Sequence, residues 1–206
     1  MIVINFKTYK QGVQVVKLAR KISKVDKKAI LCLQAVDIYP VSRAVKNPVF
    51  VQHADSKEKG RNTGYIVLES IKSEGGVGTL LNHSEHRISL YEIKLIINRC
   101  KTLGLKEIVF AGTLNEVIKM KKFKPWAIAY EDPYLVGSGK PITKYKSQNV
   151  KKFADLLKGT KIIPLCGAGI SSKEDIIAAK KLGCKGVVIG SAIARDEKVE
   201  ILKLNL

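Results

Sequence analysis

The sequence predicts an α/β fold, a single trimmed (β/α)8 barrel, on three observations. Strand-like and helix-like segments alternate from end to end. Most strand-like segments are continuous apolar runs, as in parallel strands covered on both faces. Eight such units follow one another over residues 1–206 without a linker, internal repeat or low-complexity stretch. One closed barrel therefore fits better than an open doubly wound sheet, and because the usual barrel has ~250 residues, this one is trimmed.

Met1-Ile2-Val3-Ile4-Asn5-Phe6-Lys7 is too short and too soon charged for a secretory leader, and Ile2–Phe6 reads as the first strand. Val15, Leu18, Ile22 and Val25 make the apolar stripe of the first helix. Ala29–Gln34 is the second strand and Val36–Lys46 a short helical unit after it. Val49–His53 is the third strand, followed by a polar loop at Ala54–Gly64. Val77–Asn82 is the fourth, and Ile93, Ile96, Ile97 and Cys100 line the next helix. Glu107–Ala111 precedes a helical unit at Leu114–Phe123, which with the second unit is expected to be the shortest. Trp126–Glu131 is the sixth strand, and Val150, Phe153, Ala154 and Leu157 form a further stripe. Lys161–Cys166 is the seventh. Ser171-Ser172-Lys173-Glu174 carries a capping-box pattern for the following helix, and Gly183 is placed to end it. Gly186–Gly190 is the eighth strand, before a small helix ending near Leu204.

Composition narrows the class. No apolar run approaches the ~20 residues of a membrane span. Cys32, Cys100, Cys166 and Cys184 are widely spaced, with no CxxC and no Cys/His cluster, so they read as small buried hydrophobes in a reducing cytoplasm, with no metal. The formal net charge is +19. A nucleic-acid or membrane partner would explain it. However, the lysines are scattered over nearly every helix and are not interleaved with aromatics, so a solvated surface is the reading taken and neither partner is expected.

In a barrel, chemistry collects where strands end. Asn5 and Lys7 follow the first strand on one side of the chain, and a Lys at the mouth can hold an anion. His83 follows the apolar run Val77-Gly78-Thr79-Leu80-Leu81. Placed at a helix N-terminus it would favour neutral imidazole, able to donate to a substrate oxygen. His86 is expected to face outward; His53 also ends a strand but has no apparent acid beside it. Glu131 follows the sixth strand, and the loop behind it runs Asp132-Pro133-Tyr134-Leu135-Val136-Gly137-Ser138-Gly139-Lys140, a lid with defined hinges. Cys166-Gly167-Ala168-Gly169 and Ile189-Gly190-Ser191 let backbone amides approach a phosphate.

These motifs carry a resemblance. Asn5-Phe6-Lys7, Gly78-Thr79-Leu80-Leu81-Asn82-His83-Ser84-Glu85, Ala129-Tyr130-Glu131-Asp132-Pro133, Val136-Gly137-Ser138-Gly139-Lys140, Cys166-Gly167-Ala168-Gly169 and Gly186-Val187-Val188-Ile189-Gly190-Ser191 occur in order, each in its proper unit. Together they resemble the triosephosphate isomerase family, in its shorter archaeal type, over essentially the whole chain. The resemblance implies one TIM-barrel catalytic domain over 1–206. It also implies an aldose–ketose isomerase acting on a small phosphorylated triose, with no metal or organic cofactor. Glu131 would be the base, His83 the neutral electrophile, Lys7 with Asn5 the cation site, and Glu85 the residue ordering Lys7 and His83. Amides of Gly137, Gly169, Gly190 and Ser191 would cradle the phosphate under the lid Pro133–Lys140. That carboxylate and neutral-His pairing, and that lid, are the standard illustration of such chemistry.

Two positions depart from much of the family: Cys166 stands where Tyr is usual and Gly169 where Ser is frequent. The expectation is a lid that closes less fully, tightened by Cys166→Tyr. The resemblance further implies a homo-oligomer, at least a dimer and in archaeal forms a tetramer. The loop Ala54–Gly64 would enter a neighbour, with Thr63 near that neighbour's Asn5 and Glu85. Another phosphate-binding barrel isomerase or synthase would explain the glycines but not Lys7, His83 and Glu131 together. A barrel with a nucleic-acid-binding role is the remaining alternative.

Overall fold

The computed structural model describes residues 1–203. Its strands are β1 Ile2–Asn5, β2 Ile30–Leu33, β3 Val49–Val51, β4 Gly78–Leu81, β5 Lys106–Ala111, β6 Ala127–Tyr130, β7 Ile163–Cys166 and β8 Gly186–Ile189. They pair in parallel and in sequence order, with β8 closing on β1 as a barrel. The helices are α1 Val13–Val25, α2 Ile38–Ala44, α3 Leu68–Ser73, α4 Leu90–Leu103, α5 Leu114–Lys121, α6 Ile142–Tyr145, α7 Ser147–Leu157, α8 Lys173–Lys181 and α9 Ser191–Ala194.

The continuous apolar runs have two destinations. Alternate residues point inward, where Val3, Phe50, Leu80, Phe110, Leu165 and Val188 belong to the core inside the barrel. Their neighbours point outward and pack under the helices, as Ile4, Leu31, Leu81 and Val109 do. Gly78 shows how tightly the interior is filled: a Cβ there would lie 2.5 Å from the Phe50 ring and 2.3 Å from the Lys106 carbonyl. The helical stripes read from spacing bury as expected, with Val15, Leu18 and Ile22 in α1, Ile93, Ile96, Ile97 and Cys100 in α4, and Val150, Phe153, Ala154 and Leu157 in α7.

Three expectations shift. The capping box of α8 is Ser172 with Asp175, one residue beyond the pair expected, because Asp175 Oδ2 accepts the amides of both Ser171 and Ser172. Gly183 does follow α8, with φ 99°. The shortest helices are α6 and α9, with 4 residues each, and then α3, with 6, rather than α2 or α5. Finally, Leu204, the expected end of the last helix, lies outside the described residues. All four cysteines are free and buried. Burial pushes the Cys100 thiol up to about 12.

Candidate active site

Parallel pairing brings the C-terminal ends of all eight strands to one mouth. There a cavity of about 420 Å³ is lined by Asn5, Lys7, His83 and Glu131 together with Gly137, Gly169, Gly190 and Ser191. Glu85 stands just outside it and lines an adjoining cavity of about 390 Å³ that shares Asn5, Lys7 and His83. The strand-end residues singled out in the sequence therefore converge.

One bond fixes how the His83 ring is turned. The backbone N–H of Glu85 donates to His83 Nδ1 at 3.1 Å. Nδ1 is thereby occupied as an acceptor, and Nε2 is the ring nitrogen left to face the cavity. Nε2 lies 3.0 Å from Glu131 Oε2, and both residues are buried. The placement differs from the one expected. Because α4 begins only at Leu90, His83 does not sit at its N-terminus. The tight turn after β4 does the work. Asn82 takes φ 61°, donates to the Phe110 carbonyl at 2.9 Å and accepts the Ile88 amide at 3.1 Å.

Glu131 continues β6 by one ladder bond, its N–H on the Ala111 carbonyl at 3.0 Å. Its Oε2 has no aligned donor despite the nearby imidazole, which leaves a buried carboxylate oxygen free at the cavity wall. Such an atom is costly to bury unless it is used. Gly167 touches the other oxygen: a Cβ there would lie 2.7 Å from Glu131 Oε1.

Lys7 has φ 47°, a left-handed conformation worth about 1 kcal/mol or more of strain for a residue with a Cβ. Three contacts hold it. Its N–H reaches Asn5 Oδ1 at 3.0 Å, its carbonyl accepts Gln52 Nε2 at 2.9 Å, and its ammonium lies 2.6 Å from Glu85 Oε1. Gln52, Asn82 and Gly167 thus shape the site without having been singled out as site residues. Gln52 had a signal, a polar side chain directly after the apolar run Val49-Phe50-Val51; the roles of the other two depend on contacts across the barrel. His86 is exposed as expected, stacked on His53 at 4.1 Å between centroids. His53 is not without an acid, however, since its Nε2 lies 3.3 Å from Asp55 Oδ1.

The lid leaves β6 through Asp132, whose Oδ1 accepts the Tyr134 amide at 3.0 Å and caps a tight turn over Pro133–Leu135. Gly137 and Gly139, with φ 74° and 72°, then carry the chain over the cavity. At the far hinge the Ile142 amide donates to the Ala168 carbonyl at 3.1 Å. Lys140 and Pro141 pass so close to Gly169 that a Cβ there would stand 2.1 Å from the Lys140 carbonyl oxygen. Glycine at 169 is therefore the condition for this approach rather than a missing hydrogen bond. Cys166 is fully buried on the helix-facing side of the barrel, with its thiol against that of Cys184, which raises its pKa together with burial. A tyrosine introduced by Cys166→Tyr would have to displace the packing around this fully buried thiol before it could reach the lid.

Comparison with known proteins agrees with this geometry. The family model for triosephosphate isomerase matches residues 1–204. The chain is 39% identical to the triosephosphate isomerase of Methanocaldococcus jannaschii, over 97% of this chain and 95% of that one. It is 37% identical to that of Saccharolobus solfataricus, over 97% and 91%. Against that of Methanobacterium bryantii the figures are 36%, over 99% and 95%.

Proposed function

Because the chain belongs to the triosephosphate isomerase family and is an isomerase, we propose that it interconverts glyceraldehyde 3-phosphate and dihydroxyacetone phosphate by the Glu131/His83 route. Glu131 takes the proton from the carbon beside the carbonyl, and an enediolate forms. His83 Nε2–H donates to the substrate oxygens, and Glu131 returns the proton to the neighbouring carbon. A neutral imidazole suits this step because it can give and regain a proton between the two oxygens. The Lys7 ammonium stabilises the developing negative charge, with Asn5 and Glu85 keeping it in place. Amides of Gly137, Gly169, Gly190 and Ser191 receive the phosphate, and the lid keeps water from the enediolate.

The observation that carries this reading is the Glu85 N–H bond to His83 Nδ1, which occupies that ring nitrogen and leaves Nε2 at the cavity wall, 3.0 Å from a buried Glu131 oxygen that has no hydrogen-bond partner. The test is a coupled assay of the wild type beside Glu131→Gln. The variant is expected to lose about 10²–10⁴-fold in kcat with its fold retained. A variant keeping more than a tenth of wild-type kcat would remove Glu131 from the role of base.

Assembly belongs to the same reading. The cavity beside Glu85 and Lys7 is open on the surface, with the largely exposed Val36 in its wall. A second copy's loop Ala54–Gly64, with Thr63, fits this place, giving a homodimer at least. The buried free thiols suit the reducing cytoplasm. Light scattering of the purified protein tests the assembly, and a monomer at micromolar concentration would reject it.

A further inference from the structure

Lysines that look scattered along the chain are not scattered in space. At the mouth of the barrel five cations are paired, Lys7 with Glu85, Lys10 with Glu197, Arg87 with Glu116, Lys146 with Asp132 and Arg195 with Asp196, although Lys140 in the lid and Lys198 in the cavity wall have no carboxylate within 4.0 Å among the described residues. The opposite end differs. Lys106 opens β5, Lys122 and Lys124 precede β6, Lys158 and Lys161 precede β7, and Lys185 precedes β8. These four strands are consecutive neighbours in the barrel, so the six exposed lysines form one continuous stripe. Among the described residues none of the six ammonium groups has a carboxylate within 4.0 Å. The acids of this sector are Glu107, buried, and Asp155 in the last turn of α7.

Helix C-termini also gather at this end, and lysines there complement the helix dipole. Lys101 and Lys121 serve in that way, donating to the carbonyls of Phe123 and Leu156 at 2.9 and 2.7 Å. The six are different: they stand in the connections or at strand starts, and although Lys122 and Lys158 are the C-cap residues of α5 and α7, none of the six ammonium groups donates to a carbonyl among the described residues. Their mutual repulsion goes uncompensated within the molecule, so a polyanion laid across them gains from all six. Between α7 and β8 the stripe includes a surface cavity of about 500 Å³ bordered by Lys158, Lys161 and Lys185, with Asp155 also in its wall. The Lys106 ammonium sits 4.9 Å over the half-buried Trp126 ring.

We propose that this end of the barrel, opposite the catalytic mouth, binds the phosphate backbone of nucleic acid without sequence preference. A linear polyanion fits better than a lipid surface for two reasons. Neighbouring strands stand about 4.8 Å apart, a spacing of the order of the ~3.4 Å charge interval along one DNA strand. In addition, none of the large exposed apolar side chains lies in these four connections, and only Met1 beside Lys185 and Val77 beside Lys106 flank the stripe, too few to anchor it in a bilayer.

The test uses fluorescence anisotropy of a labelled 25-nucleotide mixed-sequence DNA, single-stranded and duplex, across a salt series. The triple variant Lys158→Glu, Lys161→Glu, Lys185→Glu is compared with a charge-matched control, Lys17→Glu, Lys94→Glu, Lys152→Glu, on the outer faces of α1, α4 and α7. Wild type is expected to bind at about 0.15 M salt. The stripe variant should lose at least ten-fold in affinity and about 2 to 3 from the log–log salt slope, and the control only a few-fold. Isomerase activity should stay unchanged in both, which shows that each folds. Equal losses in the two variants would overturn the proposal, since net charge alone would then explain binding. Binding confined to very low salt would overturn it too, as would capture by phosphatidylglycerol vesicles but not by the oligonucleotides.

Discussion

Replacing Gly167 by alanine moves the base without disturbing the fold. The new Cβ would stand 2.7 Å from Glu131 Oε1, whereas ordinary contact begins near 3.4 Å. Val188 Cβ blocks it on another side at 3.3 Å. The backbone of Gly167 cannot drift, because its N–H is tied to the Tyr130 carbonyl at 3.0 Å. The carboxylate must therefore retreat by about 0.7 Å. Its retreat is cheap in stability, since the displaced atom is the end of a side chain that faces a cavity. Catalysis is less tolerant: a shift of ~1 Å costs about 10²-fold when the reacting groups no longer meet at near-attack distance. Steady-state kinetics with glyceraldehyde 3-phosphate should give kcat about 10- to 100-fold lower, KM changed by less than about three-fold, and a melting temperature within a few degrees of wild type. Unchanged kcat would refute the claim that Gly167 sets the position of Glu131. A collapse in stability would show that the contact is structural.

Two further perturbations follow from the same packing. Gly169→Ala places a Cβ 2.1 Å from the Lys140 carbonyl at a φ of 70°, so the far hinge of the lid must shift; kcat/KM should fall by about ten-fold or more with the barrel still folded, and wild-type kinetics would refute the hinge contact. Burial raises Glu107 to about 7 from an ordinary 4.5. From about pH 4.5 to 7 the unfolded chain has released that proton while the native state keeps it, so stability falls by roughly 3 kcal/mol as pH rises through this window and levels off above it. Glu107→Gln keeps an acceptor for the Trp126 amide, now 2.9 Å from Oε1, and should flatten the fall. Urea melts at about pH 5 and 8 with parallel changes in both proteins would refute it.

Much of the molecule was legible because its physics is local. Short continuous apolar runs bounded by turn residues and alternating with helical stripes read as strands buried on both faces, and stripes such as Ile93, Ile96, Ile97 and Cys100 read as one side of a helix. Polar residues directly after those runs had to stand at the mouth, so Asn5, Lys7, His83 and Glu131 could be named from position alone. Boundaries were harder. The Ser172–Asp175 cap lay one residue from the expected pair, since Asp175 at N3 serves two amides and Glu174 serves neither.

The sequence by itself therefore determined the class of fold, the register of its units and the cast of the site, because hydrophobic period and strand-end position are properties of consecutive residues. Tertiary structure alone decided how that cast is set. The ring of His83 is turned by a turn amide rather than placed at a helix end, and Lys7 keeps its left-handed backbone because Gln52 reaches it from just beyond β3. Gly169 is required by the hinge of a lid 29 residues earlier at Lys140. The alignment of six unpaired lysines on one end arises only when β5 to β8 come side by side. Each of these is a contact between segments distant in the chain, and closing the barrel is what creates it.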